Sequence, residues 1–143
     1  MTKDDWYADR IMWRAGQHRL FEKRCVRFED LNAQGRRMIT DQAEFIGKPL
    51  LVFFDSAERW TVLTTSEIVS RFDGQIHRAS LDAIKKEVEL VRPAGVDSEE
   101  LKRSANRLRL PKTNAEVWAP EGNELFGLMN ILQMFPLSIP SQK

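Results

Sequence analysis

The sequence predicts an α+β protein, with helices at both ends and short antiparallel strands between them. Three observations carry this. Residues 4–24 and 32–46 hold apolar side chains at helical spacing. From Leu50 the period shortens to that of strands, with turn residues between the runs. Residues 123–135 return to helical spacing. A length of 143 residues suits one domain, divided into a helical segment (1–48), a sheet-and-helix region (50–135) and a tail (136–143).

The first helix is expected over 4–24. Asp4 or Asp5 caps its start, Trp6, Trp13 and Leu20 repeat every seven residues, and Arg19, Lys23 and Arg24 suit its negative end. The second, 32–46, starts at Asn32 and places Ile39, Ala43 and Ile46 on one face. Gly47 is expected to end it in the left-handed position, with Pro49 forbidding continuation. Strands follow at 50–54, 59–64, 67–72, 75–78, 85–91, 101–110 and 114–120. In the second of them Trp60 and Val62 share one face, and Thr61 and Leu63 the other. Asp73-Gly74 is a two-residue hairpin signal, because both positions of that turn take positive φ. Residues 80–84 read as a single turn and 92–100 as a loop. Asn123 is a candidate cap for the last helix, whose apolar face carries Leu125, Leu128, Leu132 and Phe135.

This order resembles the pleckstrin-homology-like superfold, above all its small bacterial members. The residues that carry the likeness are "LTTSEIVSRFDGQIHRASLDAI" and "VWAPEGNELFGLMNIL", within residues 50–135. The resemblance implies a strongly bent, seven-stranded antiparallel sheet, a split barrel whose open corner is plugged by the C-terminal helix. It implies no particular function, because function resides in sites and not in folds. Lipid-binding relatives place basic residues around the loop joining the first two strands. Here that loop is "DSAER", with Asp55 and Glu58 against Arg59, a poor cradle for phosphate.

Charge and composition narrow the function classes. With 22 basic and 21 acidic residues, no global field draws the protein to nucleic acid or to an anionic membrane. The N-terminal "MTKDDWYADR" lacks the apolar core of a signal peptide, and "PLLVFF" falls far short of the ~20 apolar residues of a membrane span. A single cysteine, Cys25, suits a reducing compartment, so a cytoplasmic protein is expected.

Few residues suggest chemistry. His18 and His77 stand apart, in no metal-ligand spacing. Cys25 between Arg24 and Arg27 has the charge, though not the partner, of an activated thiol. Thr64, Thr65 and Ser66 lack a nucleophile elbow and suit a strand end and turn. The chain is therefore expected to be no enzyme and to hold no metal or cofactor. Two features invite a partner. Lys102, Arg103, Arg107, Arg109 and Lys112 form a basic run without an interleaved aromatic for base stacking. It reads as a solvated strand face, paired with the acids of "VDSEE", or as a patch for an acidic protein, and not as a specific nucleic-acid site. Trp6 and Trp13 pack the first helix on the sheet or form a docking face. The leading expectation is a non-catalytic protein-interaction module, one form of which is an immunity protein that masks a toxin. A lipid-binding module and a small enzyme with an unrecognised pocket are the alternatives.

Overall fold

The computed structural model describes residues 2–139, apart from the side chain of Lys102. Among the described residues the chain forms four α-helices and two antiparallel sheets, one of five strands and one of three. The five-stranded sheet runs in chain order: β1 (Cys25–Arg27), β2 (Pro49–Ser56), β3 (Arg59–Thr64), β4 (Glu67–Phe72) and β5 (Gln75–Ser80). The second contains β6 (Glu89–Leu90), β7 (Arg107–Leu110) and β8 (Ala115–Trp118). Seven strands thus lie between Pro49 and Trp118, but divided between two sheets where one bent sheet was expected. Buried hydroxyls fasten the two together: Thr61 Oγ1 donates to the Trp118 carbonyl at 2.5 Å, and Ser70 Oγ accepts from the Trp118 amide at 2.9 Å.

β3 and β4 have the bounds that their alternation predicts. Asp73 and Gly74 make the turn to β5 at φ 51° and 74°, between the paired residues Phe72 and Gln75. The alternation also separates two cores. Val52, Trp60, Val62 and Val69 face α2 (Ala33–Thr40) with Ile39. Leu51, Phe53, Leu63 and Ile68 face the larger core, which α1 (Lys3–Gln17), the second sheet and α4 (Asn123–Leu132) complete. The central strands are covered on both faces, which is why "LLVFF" reads as a continuous apolar run. Leu125, Leu128 and Leu132 of α4 are fully buried.

The helices depart from expectation in several ways. α1 is capped by Thr2, not Asp4 or Asp5, and Asp5 completes the capping box as its third residue. It stops at Gln17, and Arg19 at φ 53° turns the chain into a 3-10 turn at Leu20–Glu22. Its buried stripe is Tyr7, Ile11 and Ala15, not the Trp6–Trp13 repeat. Cys25–Arg27, expected near the end of a helix, joins the sheet edge, pairing Val26 with Val52. The N-terminal segment therefore belongs to the core.

α2 begins at Asn32 as expected, whose Oδ1 accepts from the Gly35 amide at 2.7 Å, but ends at Thr40. Gly47 is not its cap. It takes φ 84° because it lies against Thr65 and Ser66, whose hydroxyl oxygens would sit 2.7 Å from an added Cβ. The stretch 101–110 splits. Asp97 Oδ1 accepts from the Glu99 and Glu100 amides and starts α3 (Ser98–Ser104), and only 107–110 is strand. The strand expected at 85–91 shrinks to β6, since Lys85 and Lys86 both take positive φ. Gly122, not Asn123, occupies the cap position of α4, and Asn123 Nδ2 donates to the His18 carbonyl at 2.8 Å.

Candidate binding surfaces

The hydroxyl-rich stretch is consumed by structure. Thr64 Oγ1 donates to the Ile46 carbonyl at 2.6 Å and accepts from the amides of Ser66 and Glu67 at 3.0 and 2.9 Å. Thr65 Oγ1 accepts from the Lys48 amide at 3.0 Å. Beside them the buried carboxylate of Glu67 accepts from the Ile46 amide at 2.6 Å and from Arg78 at 3.1 Å. Arg78 reaches on to the Glu44 carbonyl at 2.7 Å. These groups bolt residues 44–48 to the sheet.

Cys25 is equally committed. It is fully buried, and burial, then the charge of Glu124, pushes its thiol up to about 12. The flanking Arg24 does not activate it, because its guanidinium turns to the buried Glu124 carboxylate at 2.8 Å. A thiol so held is protonated at neutral pH and is a poor nucleophile. His18 occupies the C-cap of α1, with Nε2 3.4 Å from Asn130 Nδ2. Burial, and then the charge of Arg14, lowers its pKa. His77 stacks on Phe72 at 4.3 Å. Among the described residues no group of three His, Cys, Asp or Glu stands together as metal ligands.

The basic run is largely paired. Arg107 reaches Asp73 at 2.5 Å and lies over the Phe72 ring. Arg109 pairs with Glu89 at 2.7 Å and Lys112 with Glu87 at 3.8 Å. The partners come from the Asp73 hairpin and the β6 region and not from "VDSEE", whose acids start α3. Arg103 is exposed on α3, and Lys102 lies outside the described side chains. Ion pairs as exposed as these are screened by solvent and contribute little to stability.

The two tryptophans part company. Trp6 packs on the core, with Nε1 donating to the Ser138 carbonyl at 3.0 Å. Trp13 is 48% exposed, and Arg10 lies within 4.9 Å of both rings. Trp13 lines a groove of about 820 Å³ between α1 and the edge of the five-stranded sheet. Ala8, Met12 and Trp13 form one wall, Phe28 the other, and Pro49 and Leu50 the floor. Asp5 and Asp9 border it on α1, with Arg27, Glu29 and Lys48 opposite. β1 is an edge strand, paired with β2 alone among the described strands. Its wall could not be read from the sequence, since it is assembled from residues 5–13, 27–29 and 48–50.

Among the described residues no helix is long and apolar enough to cross a membrane. In comparisons with protein-family models, curated proteins and solved structures, the chain matches none.

Proposed function

We propose that the protein is a non-catalytic, cytoplasmic protein-interaction module that receives an extended segment of a partner in the groove between α1 and β1. One observation carries the reading: an apolar groove with a half-exposed tryptophan runs beside a sheet edge that has a strand on one side only. An added strand gains backbone hydrogen bonds from such an edge, and its alternate side chains enter the groove. The volume falls in the range that receives a few side chains. The rim asks for mixed charge, basic residues toward Asp5 and Asp9 and an acid toward Arg27 and Lys48. The reading of residues 50–135 as a pleckstrin-homology-like unit belongs to the same proposal. Its support is the run of seven strands followed by a buried amphipathic helix.

The test uses tagged protein as bait in the native host, wild type beside Trp13→Ala. A specific protein retained by the wild type and lost by the variant supports the groove. Equal retention by both overturns the site. Recovery of no protein, while anionic vesicles or small molecules bind, overturns the function. A toxin as the captured protein makes the chain an immunity protein.

A further inference from the structure

A second, polar pocket of about 520 Å³ lies on another side of α1, where Arg14 meets Lys86 and the last turn of α4. Its polar lining consists of Arg14, Lys86, Asn130 and Gln133, with no carboxylate among the lining residues. Arg14 Nε is buried and has no hydrogen-bond partner. Nη1 of the same guanidinium makes only a long contact, 3.3 Å, with the neutral Gln17. Neither Arg14 nor Lys86 forms an ion pair among the described residues, although ten other pairs do form. The Lys86 ammonium spends one of its three donors on the Met134 carbonyl at 3.2 Å.

The backbone beneath Lys86 adds an independent observation. Lys85 and Lys86 are consecutive non-glycine residues at φ 56° and 63°. That conformation is unfavourable for any residue with a Cβ, and such outliers gather where a side chain has to be aimed. Here the strained turn is tied down by the Lys86 amide, which donates to the Phe135 carbonyl at 2.8 Å. It sets the lysine over the end of α4 beside Arg14.

We propose that this pocket binds a small phosphate-class oxyanion, with Arg14 and Lys86 as its charged ligands and the carboxamides of Asn130 and Gln133 as neutral donors. A guanidinium fork with a buried free N–H, a point-like ammonium and two amides match the several acceptor oxygens of a phosphate. A peptide carboxylate offers only two. No residue lines both this pocket and the α1–β1 groove, but Arg14 lies 5.7 Å from the Trp13 ring, so Lys86→Gln is the variant that separates the two.

Titration of the folded protein with inorganic phosphate and pyrophosphate, followed by backbone amide NMR, tests this. Saturable shifts confined to residues around Arg14, Lys86 and 130–134 are expected. Arg14→Gln and Lys86→Gln should each weaken binding by about tenfold or more, while Arg103→Gln, a similar charge loss on α3, should leave it unchanged. Should Arg14→Gln fail to fold, Lys86→Gln carries the test. Shifts that do not saturate, or that the control variant reduces equally, overturn the site. Vesicles of phosphatidylcholine with about one-fifth phosphatidic acid separate the sources of the phosphate. Vesicle binding lost in Lys86→Gln assigns a lipid headgroup, and soluble binding without vesicle binding assigns a free phosphate ester.

Discussion

The Gly47 corner and the α1–β1 groove adjoin in the chain, and Lys48 belongs to both. In the corner its backbone amide and carbonyl pair with Thr65 Oγ1 and the Thr65 amide. In the groove it borders an apolar surface of Met12, Trp13 and Phe28 that is left open. The corner is rich in polar groups and the groove poor in them, so chemistry looks more at home in the corner. The opposite holds. The Thr64 and Thr65 hydroxyls are spent on neighbouring backbone, and the Glu67 carboxylate on the Ile46 amide and Arg78, as buried polar groups have to be. On the proposed reading, what a partner meets is the unfilled apolar surface and the unshared strand edge. Richness in functional groups is therefore a worse guide to function than the balance left after internal bonding.

Substitutions can break that contrast. The largest effect is expected from Gly47→Ala. A left-handed alanine costs about 1–2 kcal/mol, and its Cβ also collides with the Thr65 and Ser66 hydroxyls. A loss of about 3 kcal/mol in urea unfolding is expected, and a loss below about 1 kcal/mol would mean that the corner is loose. Thr64→Val keeps the shape but strands the Ser66 and Glu67 amides, and should cost about 2 kcal/mol in the same assay.

Next in size is an acid-side effect at Asp82. Burial alone would raise its pKa, but hydrogen bonds from Lys3 and Tyr7 outweigh it and hold the carboxyl below its ordinary 3.8. A depressed carboxylate stabilises the fold above its unfolded pKa, and that share is lost as pH falls through the folded value. Asp82→Asn should therefore lower stability at neutral pH and flatten its decline below about pH 4. An unchanged acid limb would show the contact to be inert. The smallest effect on stability belongs to the groove: Trp13→Ala should change it by about 0.5 kcal/mol or less, while abolishing partner capture. A large destabilisation would make Trp13 a packing residue and remove the contrast.

How legible each region was follows from the range of its contacts. β3, β4 and the Asp73-Gly74 turn were readable because alternation and turn chemistry are local. β1 was not, since "CVR" becomes a strand only by pairing with β2 across the whole of α2. α3 was hidden by the alternation of "RLRL", although Asp97 followed by Glu99 and Glu100 is a helix-start signal. Of the groove, only Trp13 was singled out. Met12 and Phe28 carry no signal until the helix is laid against the sheet edge. That Arg14 and Lys86 line one pocket was equally illegible, as was the left-handed conformation of Lys85 and Lys86, which no propensity suggests.

The contacts that close the larger core join distant parts of the chain: the Leu137 amide donates to Tyr7 Oη at 3.2 Å, and the Tyr7 ring packs against Phe135, centroids 4.8 Å apart and tilted by 54°. On a ribosome, α1 emerges well before its neighbour α4. The β2–β5 meander can zip up hairpin by hairpin as it emerges, each step closing a short loop. Tyr7, Ile11 and Ala15 have no such local refuge and stay wet until α4 arrives. The first helix thus cannot settle until the whole sheet region and α4 have been made, and during that wait its apolar stripe is open to chaperones or to another nascent chain.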